Sequence, residues 1–322
     1  MDMRVSDDDV AFAMAASELA AAIVRDEFRS SGCAAESKSD GSPVSVTDLR
    51  VEDELRAMVK RERPRDGFLG EERGETLGDA GVLGGRRWVV DPIDGTKSFV
   101  RGVPLFGCMI GLQIAGENRL GLVAFPAISD GEHRGQTYVG ITPASGAASG
   151  RELASGGDGG SNAAADSSDE GGCWLIRGSN APGSRVWSRA DVRARGEPCR
   201  VSGRRELEGA TVCVTDPRAM LVNNGPWLAR LSVELGDRGV LRSWGDCYGH
   251  AMVASGWADV MIDSPMKIWD VAAIEPLVRG AGGVITDWEG GPPSDGSRGV
   301  ISAASEELMQ EVAKWQSGRV AE

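Results

Sequence analysis

Histidine is nearly absent from this chain: among 322 residues only His133 and His250 are imidazoles, so a histidine-rich zinc centre or a triad drawing on several imidazoles has no raw material. Cysteine is present but unorganised. Cys33, Cys108, Cys173, Cys199, Cys213 and Cys247 form no Cys-x-x-Cys pair and follow no secretory signal, so they read as reduced thiols. Long apolar runs are missing too. The longest, Ala11 to Val24, is broken by Ser17 and Glu18 and is shorter than the roughly 20 residues that cross a bilayer, which predicts no membrane segment. Positive charge is the scarce sign, 35 Lys+Arg against 48 Asp+Glu giving a net charge of -13. That balance repels nucleic acid and anionic membrane, and makes any anionic substrate dependent on a cation. The oxygen ligands that remain favour Mg2+ or Mn2+. Asp2, Asp7, Asp8 and Asp9 carry the wrong charge for a transit peptide. A cytoplasmic protein is expected, with an organellar one that has lost a leader as the alternative.

With 41% hydrophobic and 26% charged residues the composition is that of an ordinary folded protein, and the length suits two domains. The expected division is an α+β metal-binding domain over 1–198 and an α/β domain over 199–322 that completes the site. Ser6 and the aspartates after it open a helix continued by Met14, Leu19, Ile23, Val24 and Phe28. Val51, Leu55, Met58 and Val59 predict a second helix capped by Thr47 or Asp48. Leu105 to Ile114, Arg119 to Ala127 and Gln136 to Thr142 read as antiparallel strands. Pro143 to Gly172 is Gly, Ala, Ser and Asp without aromatics, and is expected to be a disordered insertion. Strands at Thr211 to Thr215, Val240 to Ser243, Trp257 to Asp263 and Gly283 to Asp287 then alternate with helices at Asn224 to Glu234, Cys247 to Ser255 and Trp269 to Ala281.

The most informative stretch is Trp88-Val-Val-Asp-Pro-Ile-Asp-Gly-Thr-Lys-Ser-Phe99, an apolar strand running into two carboxylates, a turn and a hydroxyl. Pro92 cannot donate to a ladder, so the strand should stop at Asp91. Asp94-Gly95-Thr96 supplies a turn whose amides can face an anion. Phosphatases of the haloacid-dehalogenase type carry Asp-x-Asp, with both carboxylates on one strand face. Here the spacing is Asp-x-x-Asp, so the chain must bend at Pro92-Ile93 for Asp94 to join Asp91, and hydrolysis by a metal-activated water fits better. Taken singly, Asp-Pro and Asp-Gly mark surface turns, Asp270 and Asp48 are helix caps, and Glu71-Glu72 is a solvated turn. Taken together, those readings are the less economical ones.

Gly70-Glu71-Glu72, Asp91-Pro-Ile-Asp-Gly-Thr96, Trp269-Asp270-Val-Ala-Ala273 and Ala281-Gly-Gly283, with Thr47-Asp48, resemble the inositol monophosphatase superfamily of Mg2+-dependent, lithium-sensitive phosphatases over nearly the whole chain apart from the insertion. The resemblance implies a layered αβαβα sandwich, usually a homodimer, holding two or three Mg2+ per subunit, with Mn2+ as a substitute. It implies that Glu71, Asp91 and the Ile93 carbonyl hold one cation, and that Asp91, Asp94 and Asp270 hold a second. Gly95 and Thr96 amides would bind phosphate. Glu71, the Thr96 hydroxyl and Asp48 would orient the attacking water, with Glu72 in support. Asp94, Gly245, Asp246, Asp263 and Asp270 fall on the substrate side. His250 is read as a helix-face residue near the pocket rather than a base, and His133 as a loop residue.

Gly102-Val-Pro104, Gly245-Asp-Cys-Tyr248 and Val284-Ile-Thr-Asp-Trp-Glu-Gly290 look most like the histidinol-phosphatase branch, although that branch commonly has Glu where Asp263 stands. Carboxylates at Asp246 and Asp263 suit the ammonium and imidazole of histidinol phosphate better than a neutral polyol. The expected reaction is therefore hydrolysis of L-histidinol phosphate in histidine biosynthesis. Inositol monophosphate, 3'-phosphoadenosine 5'-phosphate and fructose bisphosphate are the alternative substrates, and a catalytically silent binder is the alternative class.

Overall fold

The computed structural model describes residues 3–29, 35–37, 43–78, 85–143, 171–178, 186–263 and 265–314. Among the described residues the chain opens with α1 (Asp7–Glu27), then a ribbon of β1 (Ala35–Ser37) and β2 (Pro43–Ser45), then α2 (Val46–Glu62). An eight-stranded sheet follows, built from β3 (Gly67–Gly70), β4 (Gly74–Thr76), β5 (Arg86–Asp94), β6 (Gly107–Ile114), β7 (Glu117–Ser129), β8 (Arg134–Ile141), β9 (Gly172–Arg177) and β10 (Glu197–Pro198). The one-turn α3 (Thr96–Val100) follows β5, and α4 (Arg189–Arg195) precedes β10. The strand order is β10-β9-β8-β7-β6-β5-β3-β4, antiparallel except where β3 meets β5. A second sheet of β11 (Thr211–Val214), β12 (Val240–Arg242), β13 (Val260–Asp263), β14 (Val284–Asp287) and β15 (Val300–Ala303) runs β12-β11-β13-β15-β14. Its helices are α5 (Pro217–Glu234), α6 (Asp246–Ala254), α7 (Ile268–Val271), α8 (Ile274–Gly280) and α9 (Glu306–Lys314).

Strand periodicity sorts these elements into the expected αβαβα layers. Along β6, Cys108, Ile110, Leu112 and Ile114 pack under α1 and α2, while Met109 joins a core with Ala251 of α6 and Ile274, Leu277 and Val278 of α8. The far side of the small sheet, Val212, Val260, Ile262 and Ile301, packs on Trp227 and Leu231 of α5 and Leu308 and Val312 of α9. Gly111, Gly121 and Gly140 stand opposite one another on β6, β7 and β8. A Cβ on Gly121 would lie 1.9 Å from the Ala273 carbonyl oxygen, and one on Gly140 2.4 Å from the Leu277 nitrogen. This glycine strip lets the backbone of α7 and α8 lie directly on the large sheet, which delivers Asp270 to β5.

Four details depart from the expectations. β5 continues to Asp94, because Pro92 sits in a bulge: pairing steps from Asp91↔Met109 to Asp94↔Gly107, one extra residue on β5. Three strand steps would put Asp94 opposite in face to Asp91, and the extra residue restores the side chain to the same side. The cap of α2 is Ser45, not Thr47 or Asp48; Asp48 is the third helical residue and closes a reciprocal capping box. The single helix expected at Trp269 to Ala281 is two, since Pro276 has no N-H for the Ala272 carbonyl. The helix expected from Asn224 starts at Pro217 behind an Asp216 cap and kinks at Asn224. Most of the stretch expected to be an insertion, 144–170, lies outside the described residues. No described helix is long and apolar enough to cross a membrane.

Candidate metal centre

Carboxylate oxygens of Asp91, Asp94 and Asp270 all lie within 4.8 Å of one another. Each arrives by a different route: Asp91 from the buried end of β5, Asp94 from the far side of the bulge, Asp270 from the first turn of α7. Asp270 is the third helical residue there and accepts the Lys267 amide at 2.7 Å. Asp94 accepts the amide of Cys247 at the start of α6. Asp91 is 2% exposed, and its Oδ1 has no hydrogen-bond partner.

The electrostatics are those of a site short of positive charge. Burial, and then the fields of Glu71, Asp94 and Asp270, hold the Asp91 carboxyl well above the carboxylate range. Desolvation followed by Asp270 pushes Asp94 up to about 7, and desolvation followed by Glu71 and Asp263 pushes Asp270 to about 7 against the opposing Lys267 amide. Asp48 spends one oxygen on the Ser45 amide (2.8 Å) and hydroxyl, leaves Oδ1 buried without a partner, and is raised by burial to about 6. An all-oxygen donor set, crowded and bearing an orphaned oxygen, fits a hard divalent cation, which would supply the missing opposite charge.

The Ile93 carbonyl accepts the Thr96 hydroxyl at 2.9 Å, so that oxygen is oriented from within the turn. Gly95 has φ +82°, a left-handed conformation that glycine adopts without strain, and a Cβ there would sit 3.1 Å from Asp246 Oδ2. Asp246, at φ +55°, is anchored by its amide to Thr215 Oγ1 at 2.9 Å. Burial, then Asp94 and Asp263, lift its carboxyl to about 8. A cavity of about 360 Å3 opens here, lined by Glu71, Gly95, Thr96, Thr215, Gly245 and Asp246 among others. A larger concavity of about 740 Å3 between Arg87, Gln113, Asn118, Trp269 and Arg279 includes none of the clustered carboxylates in its lining.

The residues singled out from sequence thus meet in one neighbourhood. Glu71 stands in the fields of Asp48, Asp91 and Asp270, and Asp263 in those of Asp94, Asp246 and Asp270. His133 is in a surface bend beside Asp130. His250 is fully buried on α6, 3.9 Å from Asp263.

Glu52 was not foreseen. Its carboxylate, 0% exposed, accepts the Glu72 amide at 2.7 Å and the Arg73 amide at 2.9 Å, and pairs with Arg56 at 2.6 Å. It thereby shapes the turn that presents Glu71, and it occupies the space a side chain on Gly70 would need. The available signal was an acid on the apolar face of α2, one position after Val51.

A sequence model of the inositol monophosphatase family matches residues 6–320. The histidinol-phosphatase of Chlorobaculum parvum is 33% identical over 297 residues, 92% of this chain and 92% of that protein. The histidinol-phosphatase of Mycobacterium tuberculosis is 30% identical over 287 residues, 89% of this chain and 90% of that one. Among solved structures, an inositol monophosphatase from Zymomonas mobilis aligns over 96% of this chain and 98% of its own, with 26% identity and a TM-score of 0.68.

Proposed function

Since this chain belongs to the inositol monophosphatase family and is a phosphatase, we propose that it is a Mg2+-dependent phosphomonoesterase that hydrolyses L-histidinol phosphate to L-histidinol and phosphate. The observation that carries the metal dependence is the convergence of Asp91, Asp94 and Asp270 within 4.8 Å around an oxygen with no partner. Glu71, Asp91 and the Ile93 carbonyl would hold one cation, and Asp91, Asp94 and Asp270 a second. Bound there, the cations supply charge neutralisation for the phosphate and an acidified water for attack on phosphorus. Glu71 and the Thr96 hydroxyl would orient the attacking water, with Glu71 as the base that accepts its proton and Asp48 supporting the network around Glu71, while the departing alcohol oxygen would take a proton from solvent. The amides of Gly95 and Thr96 donate to phosphate oxygens.

The leaving-group end is bounded by Asp246 and Asp263, whose oxygens would accept from an ammonium group, and an approaching cation would draw the Asp246 carboxyl, raised to about 8 in the metal-free protein, toward its charged form. That, with the two histidinol-phosphatase relatives, supports L-histidinol phosphate and a place in histidine biosynthesis. Inositol monophosphate is the second reading, favoured by the Zymomonas mobilis neighbour and by the capacity of Asp263 to accept from a hydroxyl. Phosphate release from L-histidinol phosphate, myo-inositol 1-phosphate, 3'-phosphoadenosine 5'-phosphate and fructose 1,6-bisphosphate, each with EDTA, Mg2+ or Mn2+, decides between them. Turnover of the inositol ester without turnover of histidinol phosphate refutes the first reading. Cation-independent turnover refutes the metal assignment. The homodimer and lithium sensitivity that go with this reading are checked by light scattering and by inhibition with LiCl.

A further inference from the structure

His250 sits on α6 with no exposed surface and faces two residues of the small sheet. Its Nδ1 lies 2.8 Å from the hydroxyl of Ser302, also fully buried. Its Nε2 has no hydrogen-bond partner and is 3.9 Å from Oδ2 of Asp263. Strand pairing explains this geometry. β13 and β15 are antiparallel, with Met261 opposite Ser302 and Asp263 opposite Val300. Asp263 is therefore one side-chain step along the face from Ser302, and a single imidazole on the covering helix spans both.

Burial lowers the His250 pKa to about 3, so the ring is neutral and carries one proton. The tautomer in which the Ser302 hydroxyl donates to Nδ1 carries the ring proton on Nε2, on the side of Asp263. At 3.9 Å the two are not directly hydrogen-bonded, and a neutral ring on that side leaves the carboxylate its charge while limiting where it can swing. The trio cannot act as a hydrolytic triad, because Ser302 has no surface for a substrate to reach.

Resting on the reading of Asp263 as a substrate contact, we propose that His250 is a positioning residue that fixes the Asp263 carboxylate at the leaving-group end of the site and so sets the preference among phosphate esters. A histidine that served packing alone would leave Nε2 against the apolar side chains of this helix–sheet interface. Here it faces a carboxylate.

The test is steady-state kinetics of the cation-loaded enzyme on whichever ester the unmodified protein turns over best. His250→Phe keeps a flat ring and removes the N-H; KM is expected to rise about fivefold, in keeping with loss of a contact to a charged group, while kcat changes by less than about twofold. His250→Gln retains an N-H near Nε2 and is expected to bring KM back to within about twofold. Asp263→Asn is expected to raise KM at least as far, and adding His250→Phe to it to raise KM no further, because the two act as one unit. Effects that multiply, or a loss confined to kcat, overturn the proposal. If His250→Phe fails to fold, Ser302→Ala combined with Asp263→Asn puts the same question through the other end of the ring, with the same two outcomes. A best ester other than L-histidinol phosphate overturns the substrate reading, while the coupling between 250 and 263 still decides this one.

Discussion

The turn that presents Glu71 provides a sharp test, because Glu52 and Gly70 compete for one volume. The Glu52 carboxylate accepts two backbone amides at 2.7 and 2.9 Å and pairs with Arg56 at 2.6 Å, and a Cβ on Gly70 would lie 2.2 Å from its Cδ. Deleting the carboxylate with Glu52→Ala takes the acceptor from two backbone amides and from the half-buried Arg56, a loss of about 1–3 kcal/mol, eased by the Arg56 bond to the Gly74 carbonyl at 2.9 Å. Gly70→Ala in the unmodified chain forces a carboxylate pinned by three bonds to move, at about 1–3 kcal/mol for overpacking. In the Glu52→Ala background the atoms that alanine would strike are gone, so the second substitution is expected to cost nearly nothing, and the double-mutant coupling is about 1–3 kcal/mol in the favourable direction. Urea unfolding of the four proteins at fixed pH in EDTA measures it, and additivity within about 0.5 kcal/mol refutes the reasoning. The same variants report on function: Glu52→Ala is expected to raise the Mg2+ concentration needed for half-maximal phosphatase activity.

Three further outcomes follow from the same geometry. Asp94→Asn removes one like charge from the cluster yet keeps an oxygen for the Cys247 amide, so the metal-free protein is expected to melt higher, by roughly 2–4 °C per kcal/mol gained, while phosphatase activity disappears; a lower Tm in EDTA contradicts this. In EDTA, stability is expected to decrease as pH rises from about 4 to about 8. Asp48, Asp94, Asp270 and Asp246 hold protons to about 6, 7, 7 and 8 when folded but release them near the ordinary carboxylate value of about 4 when unfolded, so the folded state binds more protons across that window; urea titrations at several pH values that show a flat or rising trend exclude it. Gly121→Ala drives a Cβ into the Ala273 carbonyl and is expected to destabilise the fold by about 1–3 kcal/mol or more and to lower activity by displacing Asp270, which thermal melts and phosphate release assays read together.

Much of the fold and site was legible because it is encoded over a few residues. The capping pattern at Ser6, the successive strands β6 to β8 and the strand-then-carboxylate layout at Val90-Asp91 need only local steric and hydrogen-bonding preferences. Errors arose where a local rule met a tertiary demand. Pro92 halts a regular ladder but is accommodated by a bulge, and Pro276 divides a run whose apolar spacing reads as one helix. The roles of Glu52 and His250 escaped because the groups that define them lie far along the chain: the Glu72 amide is 20 positions from Glu52, and the Ser302 hydroxyl 52 from His250.

From the order of residues alone came the expected ligand chemistry: a chain poor in imidazole and rich in carboxylate, with acids placed at strand ends and helix starts, offers the oxygen donors that suit hard cations. Which acids face one another was decided by the assembled sheets. The bulge turns Asp94 back beside Asp91, the glycine strip lowers α7 until Asp270 reaches them, and the pairing of β13 with β15 sets Ser302 and Asp263 under one imidazole. Those distances depend on strand register and backbone approach, which are settled only when non-local segments pack, and no span of a dozen residues contains them.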